Sequence, residues 1–369
     1  MTLAVKDDPR TLRKTLTDGE MVWVGLREWL KERGYVLRTK YQEGWVPSTK
    51  KRPFFREEDL LSMWACVMDT TRIQDGASVM MKLVDEKEHP FEVEIATWFS
   101  AEPQRSDPQN HCIPVYEVLQ VPDKPNKQIL VMPVLTPYTK PRFDTVGEAV
   151  SFFRQIFEGM EYMHTQNVAH RDCMSMNIMM DSSPIVIAPF HPMEPRKKCD
   201  FTGRTIYLSR TQHPVKYYII DFGVSVKYKP EDRPALEPVV FGGDRTVPEF
   251  QADVLPKCDP FPVDVYYIGN LIREEFTEGS PYVSRKRGFE SMEPLVADMV
   301  NTNPRLRPTM DEVVERFEGI VHNLSSWKLR SRVAKDKDSF GIAYIIPHWI
   351  RRLQLVVGRY SPIPMPAPM

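Results

Sequence analysis

The chain has 369 residues, 42% hydrophobic and 27% charged, enough apolar material for two packed units with extensions and too much for a disordered chain. Lys and Arg number 49 against 50 Asp and Glu, so a net charge of −1 offers no general attraction for nucleic acid or anionic lipid. The five cysteines are scattered without a CxxC pair and fit neither a disulfide framework nor a zinc site. The opening MTLAVKDDPRTLRKTL lacks the apolar core of a signal peptide, and no apolar run reaches the roughly 18 to 20 residues that cross a bilayer. These features predict a soluble chain of a reducing compartment, cytoplasmic or nuclear, whose partners are found by a local site.

In chain order, residues 1–57 combine an amphipathic stretch (Val22, Val24, Leu26, Trp29, Leu30) with a basic run and read as an N-terminal extension. Residues 58–137 turn to short β-type runs, CVMDTTRI, SVMMKLV, PVYEVLQV and QILVMPVL. Asp75-Gly76 between the first two predicts a hairpin, and Pro90–Ser100 a helix with proline at its first position. Residues 138–322 are helical in pattern: Phe152, Phe153, Ile156, Phe157, Met160 and Met163 recur on one helix face. Within them, the proline-rich segment 181–214 with its PRKK run reads as an insert looped between the strands NIMMD and KYYIID, able to dock a partner. Residues 323–369 form a tail whose end, SPIPMPAPM, has a composition expected of disorder.

Chemistry concentrates in His170-Arg171-Asp172, with Asn177 five residues after the aspartate, and in Asp221-Phe222-Gly223 at the end of an apolar strand. One carboxylate that accepts a hydroxyl proton, and a second carboxylate with an amide oxygen to hold Mg²⁺ against phosphates, are the groups phosphoryl transfer needs. The spacing resembles HRDxxxxN and DFG of the eukaryotic protein kinase superfamily, and among its members the fungus-specific kinase-like families. Pro248-Glu249 stands where that superfamily has APE, Asp264 opens DVYYIGNLI like its DVWSLG helix, and Arg307 matches the arginine that pairs with the APE glutamate.

The resemblance implies an α+β bilobal fold with a small β-rich N-lobe and a larger helical C-lobe, and a kinase that uses ATP and Mg²⁺ on serine or threonine of a protein substrate. It assigns Asp172 to the acceptor hydroxyl, Asn177 and Asp221 to the metal, Lys82 of SVMMKLV to the phosphates, and Glu92, or else Glu94, to Lys82. Around adenine it implies Val67 above the ring, Met132 as gatekeeper, the Pro133 carbonyl and the Leu135 N–H. His170, Arg171, Phe222, Gly223, Glu249, Asp264 and Arg307 take structural roles.

Three departures temper the activity. Ser62 and Ala65 replace glycines of the phosphate lid, and small residues do not tolerate positive φ as glycine does. Met174 replaces the lysine of the catalytic loop, which removes a fixed cation from the transition state. Only ten residues separate Lys82 from Glu92, whereas 49 separate Asp172 from Asp221. Slow catalysis follows, and a pseudokinase scaffold or a small-molecule phosphotransferase stay as alternatives. Between Gly223 and Thr246 the hydroxyl residues sit close to DFG, so a carboxylate, Glu237 or Asp244, is expected to pair with Arg171.

Overall fold

The computed structural model describes residues 16–46, 57, 60, 62, 64–240, 242–251, 257–336 and 342–367. The chain divides into a β-rich unit (1–88, 115–134 and 186–206) and a larger helical unit (89–114, 135–185 and 207–369). This is an α+β division, as expected.

In the β-rich unit, α1 (Asp18–Gly25) and α2 (Arg27–Glu32) lead into β1 (Tyr35–Leu37). Then follow β2 (Val67–Arg72), β3 (Ser78–Asp85), β4 (Glu117–Gln120) and β5 (Lys127–Pro133). They form one antiparallel sheet in the order β1-β2-β3-β5-β4. The expected hairpin closes β2 and β3, with Gly76 at φ 70° and the Asp75 carboxylate bound by the Arg72 guanidinium. That pairing holds Asp75 down to about 2.

The first segment is more than an extension. Trp23, Leu26, Leu30, Tyr35, Leu37 and Tyr41 share one core with Met68, Val79, Met81, Ile129 and Val131 of the sheet. The chain bends between α1 and α2, so the expected stripe has the wrong phase: Val22 is exposed and Trp23 is fully buried. A Thr17/Glu20 capping box starts α1, and Glu20 accepts from both Lys40 and Tyr41 at 2.8 Å. The middle of the 181–214 insert is likewise packed. It forms a hairpin (Phe190–His191 with Glu194–Lys198) whose buried His191 lies 3.5 Å from Glu57.

In the helical unit, α3 (Glu92–Ser100) begins at Glu92, two residues later than expected. The long α4 (Val146–Thr165), capped by Thr145, buries the whole predicted face. The strands β6 (Ile178–Met180) and β7 (Tyr217–Ile219) pair antiparallel, and α5 (Pro260–Ile272) and α6 (Met310–His322) complete the core. Phe153 meets the rings of Phe152, Phe157, Phe276, Phe289 and Phe317 within 6.5 Å. Phe153→Ala is expected to cost about 3–5 kcal/mol, since a fully enclosed ring leaves a cavity that its neighbours cannot refill. A denaturant midpoint close to that of the unaltered protein would contradict this. The proline-rich end is ordered rather than free: Ser151 on α4 donates to the Pro364 carbonyl at 2.5 Å, and Pro364 is buried. Among the described residues, no helix is long and apolar enough to cross a membrane.

Candidate active site

The catalytic loop is fixed from below by Asp264, fully buried on α5. Its two oxygens accept from the backbone N–H groups of His170 (2.8 Å) and Arg171 (2.7 Å) and contact His164 at 3.1 Å. Arg171 stands at φ 70°, a left-handed conformation that a non-glycine residue adopts at a cost of about 1–3 kcal/mol, and the Asp264 clamp holds it there. The Asp172 N–H donates to His170 Nδ1, which leaves Nε2 to donate to the Ile220 carbonyl at 3.0 Å.

Asp172 and Asn177 come together as expected. Asn177 Nδ2 donates to the Asp172 carbonyl (2.8 Å) and to Oδ2 (2.9 Å), while the Gly243 N–H donates to Oδ1 at 3.0 Å. Burial pushes the Asp172 carboxyl above the usual aspartate range; the nearby Asp221 charge adds to this, and the two hydrogen bonds to its oxygens, from Gly243 and Asn177, and His170 oppose it. Gly242 and Gly243 were not singled out as functional, although adjacent glycines are a signal of close backbone approach. A Cβ on Gly242 would lie 2.2 Å from Asp172 Oδ1, and one on Gly243 would lie 2.0 Å from Met174 Sδ. The thioether therefore packs under the segment, and the loop has no cation at that position.

Asp221 is exposed at φ 68°, with Oδ1 accepting from the Gly223 N–H at 3.2 Å. Phe222 is buried between Phe99 of α3 and His170, with ring centroids 6.0 and 5.8 Å away. His89 donates from Nδ1 to the Gly223 carbonyl at 2.8 Å, and a Cβ on Gly223 would come within 3.3 Å of Glu92 Oε2. Glu92 is 1% exposed at the start of α3. His89 was legible only as the residue before a proline.

Arg171 corrects the expectation of a carboxylate partner. Its guanidinium donates to the carbonyls of Val224 (3.2 Å) and Pro238 (2.7 Å), while Asp244 accepts from Asn270 and Thr246. Backbone oxygens satisfy the cation, so neither Glu237 nor Asp244 is needed. Glu249 and Arg307 form a bidentate pair at 2.8 and 2.6 Å, with side chains 3% and 0% exposed.

In the β-rich unit, Val67 pairs with Lys82 and Lys82 with Leu130, while Met80 pairs with Met132. Directly opposed residues share a face. Val67, Lys82 and Met132 therefore stand on one side of the sheet, opposite the face whose Val79, Met81, Ile129 and Val131 pack on the N-terminal helices. Pro133 ends β5, and Leu135 is buried two residues on in the helical unit. Where the lid glycines were expected, the Ser62 hydroxyl donates to the carbonyls of Trp64 and Val67 at 2.8 and 2.9 Å, and Trp23 Nε1 donates to the Ala65 carbonyl at 3.0 Å.

The family model of the protein kinase domain matches residues 64–289. The chain is similar to serine/threonine-protein kinase CAK1 of Saccharomyces cerevisiae, 27% identical over 169 residues, which are 44% of this chain and 37% of that protein. It is also similar to sperm motility kinase 2B of Mus musculus, 26% identical over 188 residues, 45% of this chain and 31% of that protein. The match spans about a third of the length of each relative. With the model covering more than half of its residues, the chain belongs to the protein kinase family.

Proposed function

We propose that the chain is an ATP- and Mg²⁺-dependent protein kinase directed at serine or threonine hydroxyls. The observation that carries this reading is the Asp172 carboxylate, held in place by Asn177 and Gly243 with the Asp221 charge nearby. The donor set suits magnesium, which takes one or two protein carboxylates and completes its shell with phosphate oxygens and water. The exposed Asp221 carboxylate and the Asn177 amide oxygen, whose nitrogen is already engaged by Asp172, would hold it. Among the described residues, no group of three or more His, Cys, Asp and Glu could hold a metal by protein ligands alone. When bound, the ion supplies charge neutralisation on the phosphates.

In this reading Asp172 accepts the proton of the substrate hydroxyl as that oxygen bonds to the γ-phosphorus and the bond to the β-phosphate oxygen breaks, releasing ADP. By the family resemblance Lys82 would hold the α and β phosphates, with Glu92 as its partner. Val67, Met132, the Pro133 carbonyl and the Leu135 N–H surround adenine. Met174 leaves the transferring phosphoryl without a fixed cation from the loop, so turnover is slow.

One observation favours the second reading, a binding module without transfer. The segment in place of the lid is tied down through Ser62 and through Ala65 to buried Trp23, whereas a phosphate lid needs backbone freedom. Thermal shift separates the metal assignment from the rest. Mg·ATP raises the melting temperature by the linkage of binding to folding, about 2.7 kcal/mol at a hundredfold excess over Kd, and Asp221→Asn removes the magnesium-dependent part. A magnesium-dependent shift that persists unchanged in the variant would take Asp221 out of the metal site.

A further inference from the structure

The helical unit holds a cavity of about 710 Å³ that the kinase reading does not use. Its wall combines segments far apart in sequence, among them Arg142, Arg210, Lys286 and Lys335, and it reaches the catalytic loop at Ser175. Ser175 is itself engaged, donating to Glu275 at 2.6 Å and contacting the Tyr138 hydroxyl at 2.8 Å.

The cations are arranged against their own repulsion. Lys286 and Lys335 are directly opposed on an antiparallel bridge, a placement that puts like charges on one face. Lys286 lies over the Phe276 ring at 3.9 Å and donates to the Glu275 carbonyl. Burial, helped by the charges of Lys335 and Arg142 and opposed by the pull of Glu275, lowers its ammonium to about 8. Arg210 is 2% exposed; it donates to the Tyr138 and Pro141 carbonyls and to the Tyr217 hydroxyl, and its Nε has no partner. Among the described residues, no carboxylate lies within ion-pair distance of Arg142, Arg210 or Lys286. On the same wall, Asp144 is taken by Arg351 at 2.7 Å, and Glu148 accepts from Thr211.

We propose that this cavity binds a phosphate ester, its anion held by Arg142 and Lys286 with Lys335 adding charge and the buried Arg210 forming the floor. The buried Arg210 guanidinium and the part-buried Lys286 ammonium share one wall, an arrangement that a counter-anion relieves, and a phosphate offers two charges and several acceptor oxygens. The volume exceeds a lone phosphate and falls in the range of pockets that enclose a small molecule or a short peptide segment.

The test follows the melting temperature of the full chain against inorganic phosphate at constant ionic strength, with chloride as control. The expected result is a saturable rise with phosphate that chloride does not reproduce, weakened at least about tenfold in the double variant Arg142→Gln/Lys286→Met. Lys286→Met keeps the apolar stem on Phe276, so the variant folds and its response to phosphate can be read. The response survives in Lys82→Met and in Asp221→Asn, which separates this cavity from nucleotide binding. Free phosphoserine is then compared with a phosphoserine peptide. Tighter binding of the peptide identifies a phosphorylated protein segment as the source, and equal binding a free phosphate ester. A response equal to that of chloride, or one retained in the double variant, overturns the proposal.

Discussion

Asp172→Asn lowers phosphoryl transfer about 10²- to 10⁴-fold, the scale of a lost general base, and leaves Mg·ATP binding in place. The fold tolerates the change: asparagine keeps an oxygen for the Asn177 amide or the Gly243 N–H, and it removes a carboxyl whose ionised form burial disfavours. The same burial fixes the direction of the pH profile. A carboxyl that holds its proton more tightly ionises at higher pH, so the acid limb of kcat/KM lies above the ordinary aspartate value of about 3.9. A variant as active as the unaltered chain would show that Asp172 is not the base. An acid limb at or below the ordinary value would show that the enclosed geometry is lost during turnover.

Arg307→Met costs about 3–5 kcal/mol of stability, because it strands the Glu249 carboxylate without its partner in a site 3% exposed. The guanidinium also donates to the carbonyls of Asn301 and Pro262 and lies against Tyr266, so several groups lose their partner together. Urea unfolding measures the loss. Adding Glu249→Gln to the variant returns part of it, since the uncompensated charge is then gone. A loss below 1 kcal/mol would mean that water reaches the pair. Glu249 sits five residues after Asp244 in the segment that carries Gly242 and Gly243 against the catalytic loop, so transfer falls together with stability.

The residues that were legible are those whose type is dictated by chemistry or by helix period. HRD with Asn177 and DFG can be read because few side chains accept a hydroxyl proton or hold magnesium, and the apolar face of α4 because its period leaves one solution. The bend between α1 and α2 was not legible: it shifts the phase by one residue, turning Trp23 inward and Val22 outward. Nor was the Arg171 arrangement, because its partners are backbone oxygens that any sequence offers. Proline-rich stretches were read as loose, yet their carbonyls are ready acceptors, as Pro364 is for Ser151. The cationic cavity was invisible because its walls converge from segments nearly two hundred residues apart.

The most direct measurement is transfer of radiolabelled phosphate from ATP to a generic protein substrate by the full chain, with and without magnesium, followed by phosphoamino-acid analysis. The account predicts slow, magnesium-dependent labelling of serine or threonine that disappears in Asp172→Asn. An unaltered chain that binds Mg·ATP but transfers no label to protein would contradict it and establish the binding-module reading in its place.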